Sequence, residues 1–191
     1  DTLGKAAAVL QRDKESMAIF YGSVLTLETG RPYLKKAVVM GKRINLLNFD
    51  SVCSISLIFN RRVVESIGGF DEGLGAGAEL GAGEETDILL RALGKGIEIR
   101  SLKDFVVYHP AAEGSIDIGK RRSYGMGLGA VYRKHIFSSP YFFTALGFKL
   151  LSEIILRLVL ILINAGSPSM RMYHSAYLAG YIRGLFLKVP G

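Results

Sequence analysis

Glu84 and Glu85 stand side by side in the segment GEETDILLR (residues 83–91), and His109 closes the run FVVYHP (residues 105–110). A carboxylate within reach of a hydroxyl can take its proton. Acids in the first turn of a helix also offset the helix dipole, and taken alone the pair reads that way. Asp87, in the same turn, reads as a helix-capping acid. His109 stands alone beside a proline, where histidine is usually structural. Upstream, residues 68–83 contain seven glycines in sixteen positions, with Asp71 just behind Gly68, Gly69 and Phe70. This run has neither Gly-x-Gly-x-x-Gly nor Gly-Lys-Ser/Thr spacing, so no phosphate cradle is implied. It reads as a mobile loop that shapes a pocket. Ser54 and Ser56 are small polar residues in an apolar run. His135 and His174 lie among basic and aromatic residues and read as structural or interfacial.

The elements that must position these residues follow from periodicity. Residues 2–12 carry apolar positions at helical spacing. Residues 17–27 and 52–59 are β-branched and aromatic and read as buried strands, the second of them central. Residues 28–50 read as a surface connection with some helix. A short helix over 61–67 ends at Gly68, and a helix over 84–93 ends before Gly94 and Gly96. Short strands follow over 97–100 and 105–108. Strands alternating with helices predict an α/β fold with a mainly parallel sheet.

Beyond Gly114 the character changes. The glycine-rich residues 124–129 lead into an apolar stretch over 141–163, where Lys149, Glu153 and Arg157 recur four apart and share one helical face. The stretch is long enough to span a bilayer, but a charged stripe at its centre is costly. An interfacial helix fits better, with a buried core helix as the plain alternative. A second helix is expected over 170–188, where Ala176, Ala179, Gly180 and Gly184 allow close packing. The chain thus reads as an α/β part over 1–118 and a helical tail over 119–191.

Composition agrees with that division. Hydrophobic residues make up 49% of the 191, and the mean hydropathy is +0.28. The net charge is +7, and residues 120–191 hold ten basic side chains against Glu153 alone. A segment both basic and apolar suits an anionic membrane surface better than nucleic acid. Cys53 is the single cysteine, which excludes an internal disulfide or a cysteine-based zinc cluster and fits a reducing compartment. It reads as a small buried hydrophobe. The chain opens on Asp1 with no signal-peptide pattern, which reads as a fragment boundary.

The run IGGFDEGLG (residues 67–75), then GEETDILLR, then VVYHP (residues 106–110), resembles the catalytic half of family 2 glycosyltransferases, which transfer sugars with inversion on a GT-A fold. The resemblance is specific over residues 52–110 and compatible over 1–51. It implies a partial GT-A, Rossmann-like domain followed by amphipathic and hydrophobic helices. It implies Glu85 as the base that deprotonates the acceptor hydroxyl, and Glu84 as an acid that positions or binds the acceptor. Asp87 would cap its helix or assist the acceptor. Asp71 would hold the loop beside Gly69, and Ser54 and Ser56 would face the donor sugar. His109 would complete the shell of a divalent metal, Mn or Mg. The donor would be a nucleotide-diphospho-sugar and the acceptor a glycan or lipid-linked glycan, at the cytoplasmic face of the cell membrane. The family's donor-binding strands and Asp-x-Asp motif have no counterpart here, so these residues alone are expected to bind donor poorly.

Two other classes stand beside this one. A membrane-docking interaction module could keep the same sequence features without catalysis. A basic nucleic-acid-binding protein would show steeply salt-dependent binding, but basic residues interleaved with long aliphatic runs do not make a phosphate-tracking groove.

Overall fold

A computed structural model describes residues 2–12, 16–33, 41, 43–111 and 117–189. Asp1, and residues 34–40 and 42 of the connection expected over 28–50, lie outside the described residues. The fold is α/β, with a three-stranded mixed sheet and six α-helices among the described residues. It divides into two units: Asp1–Gly69 with Arg91–Glu113, and Phe70–Leu90 with Gly114–Gly191. Residues 70–90 thus group with the C-terminal helices.

The first unit contains the sheet, in the order β2-β1-β3. Strand β1 (Ala18–Thr26) is central, and Ala18, Ile19, Phe20 and Tyr21 are all buried. Strand β3 (Glu98–His109) runs parallel to it, with Ala18 opposite Glu98 and Thr26 opposite His109. Strand β2 (Leu57–Phe59) runs antiparallel on the other edge, with Ile19 opposite Phe59. One parallel and one antiparallel pair replace the mainly parallel sheet expected from sequence. The central strand expected over 52–59 is also displaced. In its place two 3-10 turns, Phe49–Ser51 and Ser54–Ser56, precede a three-residue edge strand. Serine side chains explain this: Ser51 Oγ donates to Asn48 O at 2.7 Å and Ser56 Oγ to Cys53 O at 3.1 Å. Such local bonds compete with a sheet ladder.

The two short strands expected near 97–108 are one strand with an irregular register. Tyr21 faces Ser101 and Ser23 faces Val106, so residues 102–105 stand opposite Gly22 alone. A Cβ on Gly22 would collide with the Phe105 carbonyl and ring, which is why glycine is needed there. Helix α1 (Thr2–Arg12) packs on β3. Helix α2 (Arg61–Ile67) starts on Asn60, whose side chain accepts from Arg62 N, and stops at Gly68, φ +81°.

Helix α3 (Glu84–Gly94) carries the boundary between the units after Leu90. The second unit adds α4 (Ile118–His135), α5 (Pro140–Ile163) and α6 (Pro168–Gly184). Helix α4 is the element that sequence reasoning missed, because Gly119, Gly125, Gly127 and Gly129 each weaken a helix. Packing compensates. A Cβ on Gly125 would overlap the Tyr177 carbonyl, one on Gly129 that of Tyr181, one on Gly180 that of Arg122, and one on Gly184 that of Met126. The backbones of α4 and α6 therefore touch directly, through glycines on both sides. Asp117 caps α4, its Oδ1 accepting from Lys120 N at 2.9 Å.

Helix α5 is turned opposite to an ordinary surface helix. Its charged stripe faces inward: Arg157 and Glu153 side chains are only 13% and 22% exposed. Phe148, Leu151, Ile155, Leu158, Leu162 and Ile163 point outward, with Leu162 73% exposed. Among the described residues no helix is long and apolar enough to cross a membrane.

Two glycines test the packing in opposite directions. Gly129→Leu would force the α4 and α6 backbones apart and is expected to cost about 3 kcal/mol or more. Gly147 in α5 has open space where a Cβ would sit, so Gly147→Ala is expected to stabilise by about 0.5–1 kcal/mol. Urea unfolding of the two variants reads both signs.

Candidate functional site

The first turn of α3 is shaped by glycines from the preceding loop and from α4. Gly83, at φ +105°, backs onto Val131 and Gly127, and Gly127 in turn leaves room for the Ala82 backbone. Glu84 and Glu85 begin the helix at this junction. The loop before them is pinned rather than open: Leu74 and Leu80 are buried and bridge to one another, and Gly75 N donates to Leu80 O at 3.0 Å. Gly75, at φ +92°, has no Cβ, and the Glu84 carboxylate occupies the space one would need. Only glycine admits both the backbone conformation and the carboxylate.

The two acids differ in environment. Glu84 Oε2 is buried and has no hydrogen-bond partner among the described residues. Burial lifts the Glu85 carboxyl above the ordinary carboxylate range, and the charge and hydrogen bond of Glu84 lift it further. Its own backbone N–H opposes them in part. The pair therefore joins a carboxylate oxygen that has no partner among the described residues to a neighbour whose carboxyl is raised, the pattern of a proton acceptor.

Beneath them lies a charged cluster that fixes α3 to α4 within the same unit. Asp87 is completely buried. Its Oδ1 accepts from His135 Nε2 at 2.7 Å and from Lys134 Nζ at 2.9 Å. An ionised carboxylate can only accept, so Nε2 carries the imidazole proton. Lys134 Nζ also reaches Asp71 Oδ2 at 2.7 Å, while Asp71 Oδ1 accepts from Gly73 N at 3.0 Å. One ammonium thus ties the loop aspartate to the helix aspartate. Asp87 presents no surface to solvent. His135, read from sequence as structural or interfacial, takes a structural place against Asp87, whereas Lys134 escaped sequence reasoning, its only signal being the basic triplet that ends α4.

The remaining candidates belong to the first unit. Ser56 is buried and its Oγ donates to Gly22 O at 3.0 Å as well as to Cys53 O. That hydroxyl is spent within the sheet and does not face a sugar. Ser54 is exposed. The Gly69 carbonyl accepts from Arg91 Nη2 at 2.7 Å, and the same guanidinium holds Ile67 O and Gly68 O. Arg91 thereby closes the C-terminus of α2.

His109 ends β3, with its ring 4.8 Å from Tyr33 and Nδ1 2.8 Å from Pro110 O. Nδ1–H donates to that carbonyl, which leaves Nε2 as the one nitrogen able to bind a cation. Among the described residues no group of three His, Cys, Asp or Glu side chains can hold a metal ion. The described residues therefore do not form a divalent-cation site around His109.

Compared with protein-family models, curated proteins and solved structures, the chain matches none of them.

The raised Glu85 carboxyl has a signed consequence for stability. A carboxyl raised by folding favours the folded state below its unfolded value, and this advantage is lost as pH rises through the folded value. At pH 7 to 8 the charge of Glu85 is a liability to the fold. Glu85→Gln is expected to melt higher than the parent at pH 7 to 8, with the gap narrowing as pH falls toward the ordinary 4.5. Thermal melts of both proteins across that range check it, and a gap independent of pH would disprove it.

Proposed function

We propose that this chain is the acceptor-side catalytic half of an inverting glycosyltransferase, a partial GT-A domain with a helical tail. The reaction is transfer of a sugar from a nucleotide-diphospho-sugar to a glycan or lipid-linked acceptor. One observation carries the reading: two adjacent carboxylates open α3 against a glycine turn, one with an orphaned oxygen and the other held up by burial and by its neighbour. Inverting transfer needs a single base opposite the leaving group. Glu85 takes the acceptor proton as the hydroxyl oxygen attacks the anomeric carbon and the bond to the nucleotide diphosphate breaks. Glu84, whose buried Oε2 lacks a partner among the described residues, positions Glu85 and sustains its basicity. Asp71, Asp87, Lys134 and His135 hold the loop and helix that carry them. His109 offers one nitrogen to a divalent cation whose other ligands are not among the described residues.

A second reading is supported by α5. A helix with charges inward and an apolar face outward, in a segment of ten basic residues and one acid, has the character of a surface for anionic lipid. It accommodates a membrane-bound enzyme at the cytoplasmic face, and equally a docking module without catalysis.

Two experiments separate these. In the full-length protein, with donor and membrane acceptor supplied, Glu85→Gln is expected to lower nucleotide release about a thousandfold while donor affinity is kept. Unchanged turnover would leave only the docking module. Leu158→Gln with Leu162→Gln is expected to release the protein from vesicles containing anionic lipid in flotation assays, without lowering its melting temperature. Retention on the vesicles would show that this face does not meet lipid.

A further inference from the structure

We propose that Arg121, Arg157, Tyr173 and Tyr177 form an anion site in the helical unit, and that it takes a phosphate group. The guanidinium of Arg121 in α4 lies 4.5 Å from the ring of Tyr173 and 4.3 Å from that of Tyr177, both in α6. Arg157 in α5 lies 4.1 Å from the same Tyr177 ring. Three helices therefore bring two guanidinium groups to one tyrosine.

The two arginines differ in how their charge is met. Arg157 donates to Glu153 Oε1 through Nε at 2.7 Å and Nη2 at 2.5 Å, and its Nη1 sits 3.2 Å from His174 Nδ1. Arg121 is half-buried and meets ring faces instead. Its buried Nε has no hydrogen-bond partner among the described residues. A ring face attracts a cation but accepts poorly from the five N–H donors of a guanidinium. Glu153 gives its Oε1 to Arg157 and acts on Arg121 as a nearby charge, so one carboxylate stands against two guanidinium groups. It is also the sole acid among residues 120–191. Tyr181 stacks on Tyr177 at 6.1 Å, and its buried hydroxyl likewise lacks a partner. The cluster thus carries an excess positive charge and two unsatisfied donors.

A donor left unmade in a half-buried place costs free energy, and an oxyanion removes that cost. The planar fork of arginine matches phosphate in two parallel bonds. The tyrosine rings fix the plane of the Arg121 fork, so little ordering is required when the anion binds. The site stands on this geometry alone and does not depend on the assignment of Glu85. The phosphate can be a free ion or the head of an amphiphile, whose chain the outward apolar face of α5 in the same unit could accommodate.

Tyrosine emission reports the site directly, because the chain has nine tyrosines and no tryptophan. The full chain is titrated at constant ionic strength with inorganic phosphate, and separately with decyl phosphate below its micelle concentration. A saturable change is expected with at least one probe. Arg121→Gln is expected to weaken it tenfold or more, and Arg122→Gln, exposed on the same helix, to leave it within twofold. If Arg121→Gln does not fold, Arg121→Lys keeps the charge and loses the fork, and at least fivefold weakening is expected. Decyl phosphate binding tenfold tighter than phosphate assigns an amphiphile, and equal affinities assign the free ion. No saturation by either probe, or an affinity unchanged in the Arg121 variants, overturns the site.

Discussion

The close approach of the α4 and α6 backbones is the constraint from which the helical unit follows. Four glycines, Gly125 and Gly129 on one helix and Gly180 and Gly184 on the other, remove every Cβ that would hold the helices apart. Each glycine weakens its own helix by roughly 1 kcal/mol relative to alanine, so α4 gains its stability from tertiary contact and not from local preference. Its intervening residue Gly127 then makes room for Ala82, and that places the start of α3. The acids at the head of α3 therefore depend on a contact made a hundred residues further along the chain.

Charge completes what the glycines permit. Lys134 lies at the end of α4, where a cation is favoured by the helix dipole, and from there it reaches Asp71 and Asp87 together. With Asp87 fully buried, loss of its cation would strand a carboxylate away from water. The cluster accordingly secures the loop and helix on which Glu84 and Glu85 stand, while those two acids retain an oxygen without a partner and a raised carboxyl. The stability cost is concentrated at the place where chemistry is proposed, and the satisfied charges lie beneath it.

Much of the chain was legible in its sequence, for reasons that differ by element. Helices α1, α2, α3 and α5 were visible because their apolar spacing, caps and terminal glycines agree. Strand β1 was visible because it is apolar on both faces. Helix α4 was not, since its glycines oppose helix locally and make sense only against α6. The 52–59 segment misled because its β-branched residues suggest a strand, whereas serine hydroxyls bond the backbone into turns. At the candidate site, Glu84, Glu85 and Asp71 stood out through the family resemblance, since the acid pair taken alone reads as an offset to the helix dipole. Lys134 did not stand out, since its two aspartates are far off in sequence, and His135, though read as structural or interfacial, could not be matched to Asp87 in advance. Ser56 shows the converse: the resemblance implied a ligand contact, and its hydroxyl bonds the backbone.

The orientation of α5 changes what its sequence is free to do. In an ordinary amphipathic helix the apolar positions are held to a particular shape, while the charged ones drift. Here Glu153 and Arg157 sit where geometry and partners are fixed, against His174 and Tyr177. The outward positions face no particular neighbour within this unit, so side-chain shape there matters less than greasiness. Related chains would be expected to exchange leucine, isoleucine, valine and phenylalanine freely along that face while keeping the glutamate and arginine four residues apart. A comparison of such chains would then mark the charged stripe as the conserved one, the reverse of the pattern by which buried faces are usually recognised.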